Sequence, residues 1–395
     1  MSADEDESLR VVLGQPKAVR ERSPSDAVPK DRDEHQEERG GHHALCARVA
    51  ALRQADCEHG DHRRRDESPT GHHKGEGNVF HSIEERLKQR AREVGFDLCG
   101  IAQAAPAPHY DAYLEWLQNG MHAGMGYLAR QAALRRSAEA LLPGARSVIA
   151  VAKNYNQPLP PDAEARVARY ALGRDYHKVL RRDLRRLAAS LLELAPKART
   201  RICVDSAPIL ERDYAQMAGI GWFGKNTCLI NSKRGSWFFI GLLLTDVALT
   251  PDQPAVGGCG TCRACIDACP TGALVLRDDS PVAWLDSRRC ISYLTIEHRG
   301  AFTAEQERRL NGWLFGCDVC QEVCPFNHRR ASQPERATPT AEPDFNPRPA
   351  IAQPDLAALT ALSEQEFLAL YAGTALMRAG AEGIRRNARA LLRRG

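Results

Sequence analysis

The chain lacks any apolar run of roughly 18 residues, the length a helix needs to cross a hydrocarbon core, so no membrane span is expected. Its acidic N-terminus has no apolar stretch of the kind that precedes signal cleavage, which argues against secretion. No dinucleotide fingerprint is present. The glycine-rich stretch Gly219-Ile220-Gly221-Trp222-Phe223-Gly224-Lys225-Asn226 has no strand directly ahead of it and no acid about 20 residues on in a βαβ unit. It is no P-loop either, because Lys225 is followed by Asn226 rather than Ser or Thr; a phosphate-cradling loop for some other cofactor stays open. Residues 1–78 lack nearly all aromatic and periodic apolar residues, but hold 13 Lys or Arg, 17 Asp or Glu and seven of the 13 histidines. Such a segment cannot bury enough apolar surface to offset its ordering entropy, and it reads as a disordered charged tail, with His42-His43 and His72-His73 as solvated pairs.

What the chain has in quantity is cysteine. Thirteen are present, eight of them gathered between residues 259 and 324. In a chain of 395 residues this reads as metal ligation in a reducing compartment, hence a cytoplasmic protein, rather than a disulfide framework. The run Cys259-x2-Cys262-x2-Cys265-x3-Cys269-Pro270 has the spacing of bacterial ferredoxins, in which three cysteines hold one iron–sulfur cluster and the fourth crosses to a second. The partner run, Cys317-x2-Cys320-x3-Cys324-Pro325, is one cysteine short, with Leu314 where its first would stand. Cys290 supplies the missing thiol. One [4Fe–4S] cluster then takes Cys259, Cys262, Cys265 and Cys324, and the other takes Cys269, Cys290, Cys317 and Cys320. Zinc also uses paired cysteines, but a zinc ribbon needs only four ligands and does not use this spacing. Cys99, Cys203 and Cys228, each in an apolar stretch, read as buried small hydrophobes.

Order is expected to begin at Ser82, which with Glu85 forms a capping box ahead of Ile83, Leu87, Ala91 and Val94 on one helical face. Strands are expected over 96–101, 147–152, 201–205 and 236–245, and helices over 109–118, 174–194 and 215–218. The 174–194 helix has a basic face, either solvated or turned to a polyanion. The pattern divides the chain into an α/β domain over 79–256, a ferredoxin-like two-cluster domain over 257–327, a linker over 328–350 rich in Pro, Ala and charge, and a helical segment over 351–395. Asp205, at an expected strand end, is the best acid candidate, against the plainer role of a turn or helix-cap carboxylate.

Four stretches carry a resemblance: Tyr170-Ala171-Leu172-Gly173-Arg174-Asp175-Tyr176-His177, Val204-Asp205-Ser206-Ala207-Pro208-Ile209-Leu210-Glu211-Arg212, the glycine-rich turn 219–226, and Arg289-Cys290-Ile291-Ser292-Tyr293-Leu294-Thr295-Ile296-Glu297. Together with the two cysteine runs they resemble epoxyqueuosine reductase, a cobalamin-dependent iron–sulfur family that reduces epoxyqueuosine to queuosine in tRNA and is related to reductive dehalogenases. The resemblance implies a nitroreductase-like cobalamin-binding α/β domain and a HEAT-like helical C-terminus. It implies Asp205 as proton donor, Arg130, Lys225, Ser236 and Ser292 as cobalamin contacts, and Tyr170, Arg174 and His177 near the substrate nucleotide. It also implies tRNA as partner and a flavodoxin- or ferredoxin-type electron donor; the protein is expected to act as a monomer. To donate a proton, Asp205 needs a raised pKa, which burial beside an apolar corrin would produce.

Two other readings use the same features: a cytoplasmic reductive dehalogenase-like enzyme, and a ferredoxin-type electron carrier or RNA-binding protein without its own chemistry. The α/β domain with Asp205 argues against a bare carrier. Deleting residues 1–78 is expected to leave iron content, cobalamin binding and turnover nearly unchanged, because the segment has too little apolar surface to join a core. Iron analysis and a turnover assay on the truncated protein check this, and a large loss of activity would overturn the tail reading.

Overall fold

The first helix, Ile83–Val94, starts as its sequence requires: the Ser82 side chain accepts from the Glu85 N–H, the Glu85 carboxylate accepts from the Ser82 N–H, and Gly95 at φ 98° ends it. The structure, a computed structural model, describes residues 82–159, 163–329, 332, 334 and 336–393. The expected charged tail over 1–78 lies outside the described residues.

The strands in chain order are β1 (Leu98–Gln103), β2 (Ser147–Asn154), β3 (Arg166–Val167), β4 (Thr200–Cys203), β5 (Trp222–Phe223), β6 (Leu229–Ile230), β7 (Phe238–Thr245), β8 (Leu274–Val275), β9 (Trp284–Leu285) and β10 (Trp313–Phe315). The main sheet has the order β1-β2-β7-β4, with every neighbour antiparallel. Its two central strands, β2 and β7, are buried almost throughout, which is why both read as continuous apolar runs. On one face Leu87 and Ala91 of the first helix, and Val179, Leu180, Leu184, Leu187 and Leu191 of the helix Tyr176–Leu194, share a core with Ile149, Val151 and Leu243. On the other face Tyr214 and Ala215, from the helix Glu211–Met217, pack with Val148, Ala150, Leu242 and Leu244. The result is a mixed α/β, helix–sheet–helix sandwich.

The expected α/β, cluster and C-terminal segments pack against one another. The described residues fall in one compact unit. β10, from the cysteine-rich part, pairs in parallel with β3 of the α/β part. Leu314 and Phe315 share a core with Val167, Leu172 and the C-terminal residues Phe367, Tyr371, Ile384 and Ala388. Asn387, fully buried, donates to the carbonyls of Thr295 (2.8 Å) and Leu314 (2.9 Å), tying the last helix, Gly380–Leu392, to both neighbours.

The stretch 328–350, expected as a linker, is strapped across the sheet from residue 337 onward. Asn156 and Asn154 donate to the carbonyls of Ala337 and Thr338, each at 2.9 Å. Glu342 meets the buried Lys153 ammonium at 2.9 Å, which also meets Asp183 at 2.9 Å, and Arg182 reaches Asp344 at 2.6 Å. Phe345 is buried, edge-on to Phe239. Gly173 is glycine because a Cβ there would come within 2.7 Å of the Asp344 and Phe345 backbone. The Pro, Ala and charge content suggested a spacer; the charges instead have partners on the sandwich.

Candidate active site

Asp205 does not end a strand. β4 stops at Cys203, and Asp205 stands two residues later at φ 51°, inside a tight turn in which the Ser206 N–H donates to the Val204 carbonyl at 2.6 Å. This is a γ-turn of the rare positive-φ kind, strained for a residue with a Cβ, and such strain gathers at functional positions. Nor is Asp205 a helix cap: the following helix has Leu210 at its N-cap, with no side-chain bond. The turn is held from two sides. Glu211 Oε1 accepts the Asp205 N–H at 2.6 Å, and Arg181, from the basic face of the Tyr176–Leu194 helix, donates to Ser206 Oγ at 2.8 Å.

The Asp205 carboxylate faces His177, with Nε2 to Oδ2 at 3.1 Å. His177 Nδ1 lies 2.8 Å from Asp175 Oδ1, so the imidazole is bracketed by two carboxylates, while its ring stacks on Tyr176. Asp175 is also the N-cap of that helix, accepting the His177 N–H at 3.0 Å, which fixes the ring where it meets Asp205. The Asp205 side chain keeps 60% of its accessible area, yet burial is the largest single influence on its carboxyl. Both follow if it stands in a cleft, reachable by water but walled by protein. Tyr176, Tyr170 and Tyr127 each feel its charge, and Arg378 lies near enough to stabilise it.

The titration of this array differs from the raised Asp205 pKa expected from sequence. Burial pushes the carboxyl up, but the hydrogen bond and charge of His177, with the Tyr176 hydroxyl and the Arg378 charge, together outweigh it, and the net displacement is downward. Burial likewise works against the imidazolium of His177, but Asp175 and Asp205 overcome it and raise its pKa from 6.5 to about 9. At neutral pH the shared proton therefore resides on His177. Glu211 is shifted up, first by burial and then by the negative charge of Asp205.

The other expected site residues fall in different places. Tyr170 packs edge-on to Tyr176, within electrostatic reach of Asp205 and Asp318. Arg174 is engaged elsewhere, by Asp344 at 3.3 Å. Arg130 is exposed at the end of the short helix Gly126–Arg130. Lys225 reaches the cysteine loop: its ammonium donates to the carbonyls of Gly260 (2.8 Å) and Cys262 (2.9 Å), and its N–H points to Cys259 Sγ (3.4 Å). Ser236 is buried, its hydroxyl donating to Gln321 Oε1 and accepting from Asn327 Nδ2, both at 2.9 Å. Ser292 is half-buried, and its N–H and that of Tyr293 serve the Cys290 sulfur.

The cysteines sort into two neighbourhoods. Cys265 lies within electrostatic reach of Cys259, Cys324 and Cys262. Cys317 is within reach of Cys290 and Cys269, and Cys320 of Cys317 and Cys290. Among the described residues no three of His, Cys, Asp and Glu close on one point as ligands of a single ion would. A four-iron cluster is a wider body, and two sets of four separated thiols suit it better than a mononuclear site. Backbone donors already point at the sulfurs, as with the Ala273 N–H at 3.3 Å from Cys269 Sγ. Leu314, at the position where the second run lacks a cysteine, is fully buried on β10 in the core shared with the C-terminal residues. Cys228 is not a buried hydrophobe of the core as Cys203 is; it is half-buried against Cys320.

Glu211, Tyr176, Arg378 and Cys228 escaped sequence reasoning as site residues. For Tyr176 and Glu211 a signal existed, since each lies in a stretch that carries the family resemblance. Arg378 and Cys228 are brought in by folding alone.

Comparison with known proteins joins these observations. Residues 258–327 match a model described as a 4Fe-4S double cluster binding domain, and residues 135–206 match one described as epoxyqueuosine reductase QueG, DUF1730. The chain is 40% identical to the epoxyqueuosine reductase of Vibrio cholerae over 319 residues, 78% of this chain and 82% of that protein. Its fold is similar to a crystal structure of epoxyqueuosine reductase with an epoxyqueuosine-modified tRNA-Tyr stem loop, with TM-score 0.70 and 30% identity over 78% of this chain and 80% of that one. It is also similar to the Bacillus subtilis enzyme with its catalytic aspartate loop swung out of the active site, with TM-score 0.69 and 30% identity over 78% and 81% of the two chains. A redox enzyme carrying a double-cluster domain is the class these features define. The chain belongs to the epoxyqueuosine reductase family.

Proposed function

We propose that this protein reduces epoxyqueuosine to queuosine at the wobble position of tRNA, with the proton supplied through Asp205 and electrons relayed by two [4Fe–4S] clusters. The observation that carries this reading is the pairing of the exposed Asp205 carboxylate with His177 at 3.1 Å, in the same body as the eight-thiol double-cluster domain. Conversion of the epoxide to the alkene consumes two electrons and two protons and releases one water. Cysteines 259, 262, 265 and 324 would hold one cluster, and 269, 290, 317 and 320 the other, as their neighbourhoods support.

The residues suit cobalamin. Three tyrosines, Tyr127, Tyr170 and Tyr176, lie within electrostatic reach of Asp205, side chains whose rings suit a broad, largely apolar cofactor. Arg130, Lys225 and Ser292 would hold it, with Ser236 keeping Gln321 and Asn327 in place behind. When bound and reduced, cobalamin supplies the nucleophile for an epoxide carbon. The protein's own part is acid catalysis. Asp205 presents the proton it shares with His177 to the oxygen freed by ring opening, and His177, recharged from solvent, provides for the second proton.

The exposed arginines of the Tyr176–Leu194 helix, including Arg181 beside the Asp205 turn, form a basic flank for the tRNA backbone. The same reading takes the sandwich as nitroreductase-like and the C-terminal helices as HEAT-like. It gives the enzyme a flavodoxin- or ferredoxin-type donor, a cytoplasmic location and a monomeric state. Among the described residues no helix is long and apolar enough to cross a membrane.

The test is single-turnover conversion of epoxyqueuosine in purified tRNA by the cobalamin-loaded, pre-reduced protein, followed by mass spectrometry across pH. The rate is expected to hold through neutral pH and fall as pH rises through about 9, where His177, faced by Asp175, Asp205 and Tyr176, loses its proton. A fall centred near 6.5, the value of an unpaired imidazole, would remove His177 from the proton path.

A further inference from the structure

The positive φ of Asp205 carries a conformational cost that the bonds made around the turn must offset. A non-glycine residue at φ 51° in a three-residue turn relaxes to extended backbone unless something over-determines it. The side-chain bond made to the Asp205 backbone itself comes from Glu211, six residues on, at the first position of the helix Glu211–Met217. Its Oε1 takes the Asp205 N–H at 2.6 Å, short for a backbone amide donor. The helix that carries Glu211 is itself anchored: Tyr214, fully buried, accepts the Ala138 N–H at 2.7 Å and donates to the Ala105 carbonyl at 2.8 Å. Glu211 thus links a strained, exposed turn to the rigid core. Its carboxyl bonds the Asp205 backbone and lies within electrostatic reach of Asp205 and His177, so the test must separate position from charge.

We infer that Glu211 is a positioning residue, whose side-chain oxygen holds the Asp205 backbone in the turn that presents the Asp205 carboxyl to His177 and to the substrate. This rests on the reading of Asp205 as the proton donor. The role needs an acceptor oxygen, not a charge, so glutamine at 211 does the same work. In the Bacillus subtilis relative the catalytic aspartate loop is found swung out of its active site. A few side-chain bonds, from Glu211 to the Asp205 N–H and from Arg181 to Ser206, are the kind of restraint that permits such a loop to leave and return.

The test compares Glu211→Ala, Glu211→Gln, Asp205→Asn and the double variant Asp205→Asn/Glu211→Ala, all as full-length, iron- and cobalamin-loaded protein. Single-turnover conversion on epoxyqueuosine-containing tRNA, tRNA affinity, and hydrogen exchange of the 204–210 peptide are measured together. Glu211→Ala is expected to slow conversion by about tenfold or more, the scale on which a misplaced catalytic group costs rate. It should leave tRNA affinity unchanged and speed exchange in the peptide. Glu211→Gln should stay near wild type in both, and the double variant should be no slower than Asp205→Asn alone. If Glu211→Ala loses iron on purification, Glu211→Met, similar in length but without the oxygen, replaces it. Wild-type rate and exchange in Glu211→Ala, beside an inactive Asp205→Asn, would overturn the inference and leave the acid reading standing. Equal damage in Glu211→Gln and Glu211→Ala would also overturn it, because a proton or charge rather than the acceptor would then matter. Near-normal conversion by Asp205→Asn would instead remove the acid reading itself.

Discussion

Asp205→Asn is expected to bind cobalamin and tRNA normally and to convert epoxyqueuosine more slowly by roughly 10²–10⁴, the usual worth of a general acid. The geometry makes this substitution a clean one. Asparagine tolerates the left-handed backbone that Asp205 occupies at φ 51°, and its N–H can still donate to Glu211. The amide is close in size to the carboxyl, so the nearby tyrosines should keep their packing. What is lost is the ability to take the proton held by His177, 3.1 Å away, and pass it to the oxygen released by ring opening. Single-turnover conversion with the cofactor already reduced isolates this step from electron delivery. Turnover close to wild type would leave Asp205 a turn residue only. The neighbouring acids are poorer substitutes: Asp175 caps the Tyr176–Leu194 helix, and Asp213 is buried against His109.

Cys290→Ser is expected to remove one cluster and spare the other, taking iron from about eight to about four atoms per chain. Cys290 stands at the N-cap of the helix Ile291–Ile296, where the N–H groups of Ser292 and Tyr293 are directed to its sulfur, within reach of Cys269. A serine hydroxyl is a far weaker partner for iron than a thiolate held this way. The set of Cys259, Cys262, Cys265 and Cys324 does not include it, so that cluster and its reduced-state electron paramagnetic resonance signal should persist. Retention of about eight irons and the full visible spectrum would refute the assignment. Cys228, against Cys320, would then be the thiol to replace next.

Much of this was legible without coordinates because it is local. The capping box at Ser82 and Glu85, the apolar runs that became β2 and β7, and the helical period of residues 176–194 all act between near neighbours in the chain. Less legible was anything set by partners far apart. A Pro- and charge-rich stretch looks like a spacer until Glu342 and Asp344 are seen to answer Lys153 and Arg182. The bonds of the Ser236 hydroxyl to Gln321 and Asn327, 85 and 91 residues on, are likewise set by folding.

By itself, the sequence determined the cysteine spacing, the two-cluster arithmetic and the family, because ligand spacing and family stretches are properties of short segments. Only the tertiary structure decided how the acid is poised. Sequence reasoning required a raised Asp205 pKa, on the ground that burial disfavours charge. Folding instead brings His177, 28 residues earlier in the chain, against that carboxylate, and the cation, together with Tyr176 and Arg378, outweighs the burial. The strained turn and its Glu211 bond belong to the same level. They exist because the Tyr214-anchored helix holds Glu211 where the Asp205 N–H must meet it.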